Sequence, residues 1–130
     1  EVRRGRILTG WQGVLAWGSR NGMAVVRRGP PASPGELGLV RLEPAGELRP
    51  LKGARPPVAF AAGRVVTIDR DHPTQVVAWD DLGQERDRLD LSGWAEQVEA
   101  IIGLGEAVIL VVSKPETSEC RYRLVEWYPE

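Results

Sequence analysis

One short signature returns three times along this 130-residue chain: Leu8-Thr9-Gly10-Trp11, Leu51-Lys52-Gly53-Ala54 and Leu91-Ser92-Gly93-Trp94. The intervals are 43 and 40 residues, and from Leu91 through the two ends back to Leu8 another 47. Three steps consume the whole length, so the chain reads as three copies of one supersecondary unit, cut inside a copy. A unit of this size cannot bury its apolar face alone, and the copies must stack. The repeats run over residues 10–53, 54–93, and 94–130 joined to 1–9, all in one domain.

Within each copy, short runs of Val, Ile, Leu and Trp lie between glycines and prolines, at strand rather than helix length. A first strand (Val14–Trp17, Val58–Ala61, Val98–Gly103) enters a tight turn at Asn21-Gly22, Gly63, or Gly103 with Gly105. Such residues supply the positive φ that hairpins demand. The second strand follows (Ala24–Arg28, Val65–Asp69, Val108–Ser113), then a variable loop: 29–36, 70–74 or 114–120. The third strand is Gly38–Glu43, Gln75–Asp80 or Tyr122–Trp127. A charged fourth strand, Leu48–Leu51 or Arg86–Leu91, leads into Leu-x-Gly. For the last copy that strand is Val2–Leu8, arriving from the other end and expected to pair beside Tyr122–Trp127. The tryptophans support the wrap: Trp79 precedes Trp94 by 15 residues, and Trp127 precedes Trp11, through the termini, by 14. Residues 93–100 carry the one helical leaning and are read as a single turn at most.

This order of parts resembles the blades of a β-propeller: four antiparallel strands per repeat of about 40–50 residues. The residues that carry the resemblance are Val77-Ala78-Trp79-Asp80-Asp81-Leu82-Gly83 and, more loosely, Val40-Arg41-Leu42-Glu43-Pro44-Ala45-Gly46. The third copy, ending in Trp127-Tyr128-Pro129-Glu130, lacks the glycine. The resemblance implies an all-β fold of three antiparallel, blade-like sheets, with the N-terminal strand completing the last. It names an architecture and no activity. Propellers have four to eight blades, so three repeats leave three arrangements open: two chains in a six-bladed ring, part of a longer propeller, or a compact three-sheet monomer. The matched register of the two ends argues against a mere fragment.

Composition narrows the function classes. With 42% hydrophobic and 27% charged residues the chain is globular, and a net charge of −1 supplies no field that recruits nucleic acid or anionic membrane. The longest apolar run, Ala107 to Val112, is a buried strand and far too short for a membrane-spanning helix. Cys120 is alone, so no internal disulfide forms, and no compartment is assigned. Fifteen arginines against two lysines, with one Asn and one Met, suit a heat-stable protein from a thermophile.

Among side chains that could carry chemistry, the densest polar cluster is Asp69-Arg70-Asp71-His72, with Asp80-Asp81 beyond it. Oxygen ligands from such turns can hold Ca²⁺, His72 can join a transition-metal site, and as the single histidine it limits acid–base catalysis. No EF-hand spacing, no nucleophile elbow and no paired Cys-x-x-Cys accompanies them, so no metal, cofactor or catalytic residue is expected. Four of the five tryptophans fit repeated core positions, Trp11 with Trp94 and Trp79 with Trp127; Trp17 breaks the period and suits a surface contact. Arg3-Arg4-Gly5-Arg6, Arg27-Arg28 and Arg121-x-Arg123 could meet phosphates, but acidic neighbours and the use of charge on edge strands disfavour nucleic acid.

The expectation is a non-catalytic β-repeat scaffold, a structural protein that binds a protein partner or itself, a homodimer included. Its binding loops would present Trp17, Arg27, Arg28, Asp71, His72 and Arg121. Two other readings stand beside it: a ligand- or metal-binding hydrolase using the Asp69/Asp71/His72 loop, and a nucleic-acid-binding module using the Arg clusters.

Overall fold

The computed structural model describes residues 12–18, 22–28, 35–41, 48–116 and 119–130. All regular structure among them is β, in three antiparallel sheets. Sheet 1 holds β1 (Gln12–Gly18), β2 (Met23–Arg28), β3 (Glu36–Arg41) and β4 (Leu48–Leu51). Sheet 2 holds β5 (Ala54–Ala61), β6 (Arg64–Asp69), β7 (Gln75–Trp79) and β8 (Glu85–Asp90). Sheet 3 holds β9 (Gln97–Leu104), β10 (Ala107–Glu116) and β11 (Glu119–Trp127). Each is a meander, with strands paired in chain order. The proposed pairing partner of β11, Val2–Leu8, lies outside the described residues, as do Trp11 and the 29–34 loop.

The turns explain the glycine punctuation. Ala62 and Gly63 both take positive φ between β5 and β6, as a two-residue hairpin matched to strand twist requires. In the segment 77–83, Asp80 Oδ1 accepts the N–H groups of Leu82 and Gln84 at 2.9 Å, and Gly83 takes the left-handed φ that closes the turn. The acidic residue and the glycine of that segment are therefore the two halves of one side-chain-capped turn.

Leu-x-Gly has a packing role. Leu51, at the end of β4, and Leu91, just after β8, are both about 1% exposed. Each plugs the core between its own sheet and the next. The 91–95 segment makes one helix-like turn, Trp94 and Ala95 N–H both donating to the Leu91 carbonyl.

Sheets stack through two cores. Met23, Val25, Leu37 and Leu39 of sheet 1 meet Val65, Val77 and Trp79 of sheet 2. On its other face sheet 2 presents Val66, Ile68, Val76 and Ala78 to Val98, Ile101, Val108, Leu110 and Val112 of sheet 3. Successive residues of β6 and β7 thus serve opposite neighbours, as strand alternation dictates. The first strands lie side by side: a Cβ added to Gly103 in β9 would overlap the Phe60 carbonyl oxygen of β5. Gly103 therefore works by permitting close approach and not as a turn residue, and the turn itself falls to Gly105 at positive φ.

Candidate functional site

The polar cluster on sheet 2 forms at the end of β6, where Arg88 of β8 reaches across the start of β7. Arg88 donates from Nη1 to Asp69 Oδ2 and to Gln75 Oε1, and from Nη2 to Glu85 Oε1. The backbone N–H of Asp71 donates to Asp69 Oδ1 at 2.9 Å, and His72 Nδ1 stands 3.6 Å from Asp69 Oδ2. Burial pushes the Asp69 carboxyl up, but hydrogen bonds from Arg88 and from Asp71 N–H outweigh it and leave it below the ordinary range. The same pairing, with Glu85 first and Asp69 second, raises the pKa of Arg88. Asp69 is thus spoken for by a guanidinium, which a cation would have to displace. Among the described residues no three His, Cys, Asp or Glu side chains converge as metal ligands. His72 and Asp71 are exposed beside it.

The arginines are spread over the seams. Arg41 pairs with Asp81 at 3.1 Å, joining sheet 1 to sheet 2. Arg70, in the loop after β6, donates to the Gly35 carbonyl in front of β3. Arg64 donates to the Glu130 carbonyl oxygen at 2.9 Å, while Glu130 N–H donates to Asp87 Oδ2 at 3.0 Å, clamping the segment after β11 onto sheet 2. Arg41, Arg64 and Arg70 therefore tie separate parts of the described structure together. Arg27 is half-buried in β2, and Trp17 and Arg28 stand in β1 and β2 with side chains outside the described set.

Arg121 borders a cleft of about 170 Å³ with Arg123, Lys114, Ser113 and Trp94. The third variable loop is shorter than expected here. Lys114 pairs with Arg121, Pro115 with Cys120 and Glu116 with Glu119, so most of 114–120 is hairpin strand. Trp94 is 57% exposed, which corrects its reading as a core position; among the described residues Trp79 is the buried indole, its Nε1–H donating to the buried Thr67 Oγ1 at 2.9 Å. Trp127 is half-buried against the core between sheets 2 and 3.

The largest feature that sequence reasoning missed is the outer face of sheet 3. Cross-strand partners share a face. Ile109 pairs with Ile102, Val111 with Leu124, Ala107 with Leu104 and Ser113 with Tyr122. Ile102, Leu104, Tyr122 and Leu124 are all exposed, Leu124 to 74%. The signal lay in Ala107–Val112, whose unbroken apolar run belongs to a strand buried on both faces, whereas only one face of β10 is covered.

A scan of protein-family models matches none, and a search of curated proteins finds no match. Among solved structures, the chain is similar to KlHsv2 with loop 6CD replaced by a Gly-Ser linker, at 14% identity and a TM-score of 0.47. The likeness covers 77% of this chain and 34% of that one, so the chain spans about a third of the length of the structure it matches.

Proposed function

We propose that this chain is a non-catalytic scaffold of three propeller-like repeats, with Val2–Leu8 completing the third, and that its work is binding another protein or assembling with itself. The observation that carries the reading is a one-way stacking order. Superposing the repeats by strand register sets Val65, Thr67 and Trp79 against Val108, Leu110 and Trp127, and all six look back toward the preceding sheet. Val66, Ile68 and Val76 correspond to Ile109, Val111 and Leu124. In sheet 2 the former look forward onto sheet 3; in sheet 3 the latter face no described sheet. A repeat that faces its neighbours in one direction is how blades are arranged in a propeller, and the exposed apolar side chains on the outer face of sheet 3 support a binding role.

Thermal melts against a panel of divalent cations, nucleotides and sugars test the reading. No ligand should shift the Tm. A shift abolished by Asp71→Ala would replace the scaffold with the ligand-binding hydrolase. The Trp94 cleft supports a second reading, since cations beside an exposed indole suit a phosphate backbone with a stacked base. That reading requires oligonucleotide retention falling steeply with salt and lost in Arg123→Ala.

A further inference from the structure

We infer that the cleft beside Trp94 is a peptide-docking site, and that its occupant is an extended acidic segment of a partner protein with a large apolar side chain beside the acid. The inference rests on the scaffold reading and names the chemistry of the partner. The site stands on the face of sheet 3 that turns toward sheet 2. Val108, Leu110 and Val112 of β10 fill the core on that face, and β11 sets Trp127, Val125 and Arg123 opposite them in register. One step further along, Lys114 pairs with Arg121. Cross-strand partners share a face, so past Val112 the apolar surface gives way to three cations that line one cleft. Like charges directly opposite each other weaken a strand pair, and Lys114 with Arg121 is such a pair. Among the described residues, the side chains of Lys114 and Arg123 make no hydrogen bond or ion pair. An anion seated between them supplies what the fold does not.

Trp94 forms one wall, and the turn that carries it is pinned. Trp94 and Ala95 N–H donate to the Leu91 carbonyl, Ser92 N–H donates to Asp90 Oδ1 at 2.9 Å, and Glu96 N–H donates to the Ser113 carbonyl at 3.0 Å. Leu91 and Ala95, on either side of the ring, are buried. An indole presented by a fixed turn beside a guanidinium offers contact area at little ordering cost, the combination that anchors protein contacts. Trp94 and Arg123 also border a second cleft, lined further by Leu124, Val125 and Glu126. The groove is thus cationic at one end and apolar, with a carboxylate, at the other. That asymmetry selects the occupant. A single-stranded nucleic acid carries a phosphate at every step and would bring one against Glu126. A peptide can set its acid beside Lys114 and Arg123 and an apolar side chain against Trp94 and Leu124. Val2–Leu8 of this chain, with Arg3, Arg4 and Arg6 and no acid, does not match the cationic end.

A phage-displayed library of random dodecapeptides, selected on the immobilised 130-residue chain, is the test. Enriched sequences should carry Asp or Glu beside Leu, Ile, Phe or Trp. The best of them, synthesised with a fluorophore, should bind in solution with a dissociation constant below about 100 μM. Arg123→Glu and Trp94→Ala should each weaken that binding at least ~10-fold, as should replacing the acids of the peptide by their amides, with a smaller loss in Lys114→Ala. All three side chains are exposed, so the variants should melt close to the parent. No enrichment, enrichment of acid-free peptides, or binding indifferent to Arg123→Glu overturns the inference and leaves the scaffold reading standing. Tighter retention of a single-stranded oligothymidylate than of the peptide, falling steeply with salt, overturns it in favour of nucleic acid. A small-ligand Tm shift lost in Asp71→Ala overturns the scaffold reading whatever the peptides do.

Discussion

Sheets 2 and 3 are built from the same strand plan and differ in what covers them. Sheet 2 lies between two neighbours, and Val66, Ile68, Val76, Val77 and Ala78 are essentially inaccessible to water. Sheet 3 buries Val108, Leu110 and Val112 on one side and leaves Ile102, Leu104 and Leu124 exposed on the other. Similar apolar residues therefore stand in two settings: closed into cores on both faces of sheet 2, and open to solvent on one face of sheet 3. Burial of a Val or Ile is worth roughly 1.5–3 kcal/mol. Sheet 2 draws that stabilisation from both of its faces on folding, and sheet 3 draws it from one.

The comparison breaks first where the two sheets touch. In Gly103→Ala the new methyl collides with the backbone of β5, which has no rotamer by which to yield. We expect a loss of about 3 kcal/mol or more in urea unfolding. Gly93→Ala is the control, with open space around its Cβ position and no positive φ, and should stay within about 0.5 kcal/mol. Equal losses in the two variants would mean that the contact between β5 and β9 is not what joins the sheets.

Equivalent positions on the two sheets sharpen it next. Ile68→Ala opens a cavity in the core between sheets 2 and 3 and should cost about 2–4 kcal/mol. Leu124→Ala, on the matching face of sheet 3, should change the stability of the isolated chain by less than about 0.5 kcal/mol. A smaller effect comes from Thr67, where sheet 3 has Leu110. In Thr67→Val the Trp79 Nε1–H loses its acceptor in a buried site, and about 1–3 kcal/mol should go with it. Introducing Thr67→Val together with Trp79→Phe should recover part of that loss, because the orphaned donor is then removed as well.

The sequence made the strand order legible because alternation, turn glycines and Leu-x-Gly are local signals. Gly83 had to close a turn capped by Asp80, and Leu51 and Leu91 had to be buried, whatever the sheets did afterwards. Contacts between sheets were not legible. Gly103 reads as a turn residue until Phe60 is placed beside it, and Trp94 shares a repeat position with Trp11 without inheriting a core environment. The Asp69/Asp71/His72 loop was correctly seen as a dense polar cluster. That Arg88, 19 residues further on, would occupy the Asp69 carboxylate depends on the pairing of β7 with β8, a long-range fact with no signature in the loop.

That cluster supplies the smallest predicted effect, a dependence on acid confined to sheet 2. The Asp69 pKa is lowered in the folded chain, so the folded state favours the carboxylate more than the unfolded state does. Its contribution is fully present above the unfolded value near 3.8 and is lost as pH falls through the lower folded value. The Tm should therefore be insensitive to this group from neutral pH down to about pH 5 and decline below about pH 4. Asp69→Asn removes the titrating group, so the variant should start from a lower Tm at pH 7 and lose less of it on acidification than the parent. Asp90 is a competing source of the same slope, since Ser92 N–H holds its carboxyl low as well. Asp90→Asn separates the two, because Arg88 bonds Asp69, Gln75 and Glu85 and its recorded bonds do not include Asp90. If the flattening of the acid limb follows Asp90→Asn and not Asp69→Asn, the guanidinium cluster is not what ties β6 to β8 at that end of the sheet.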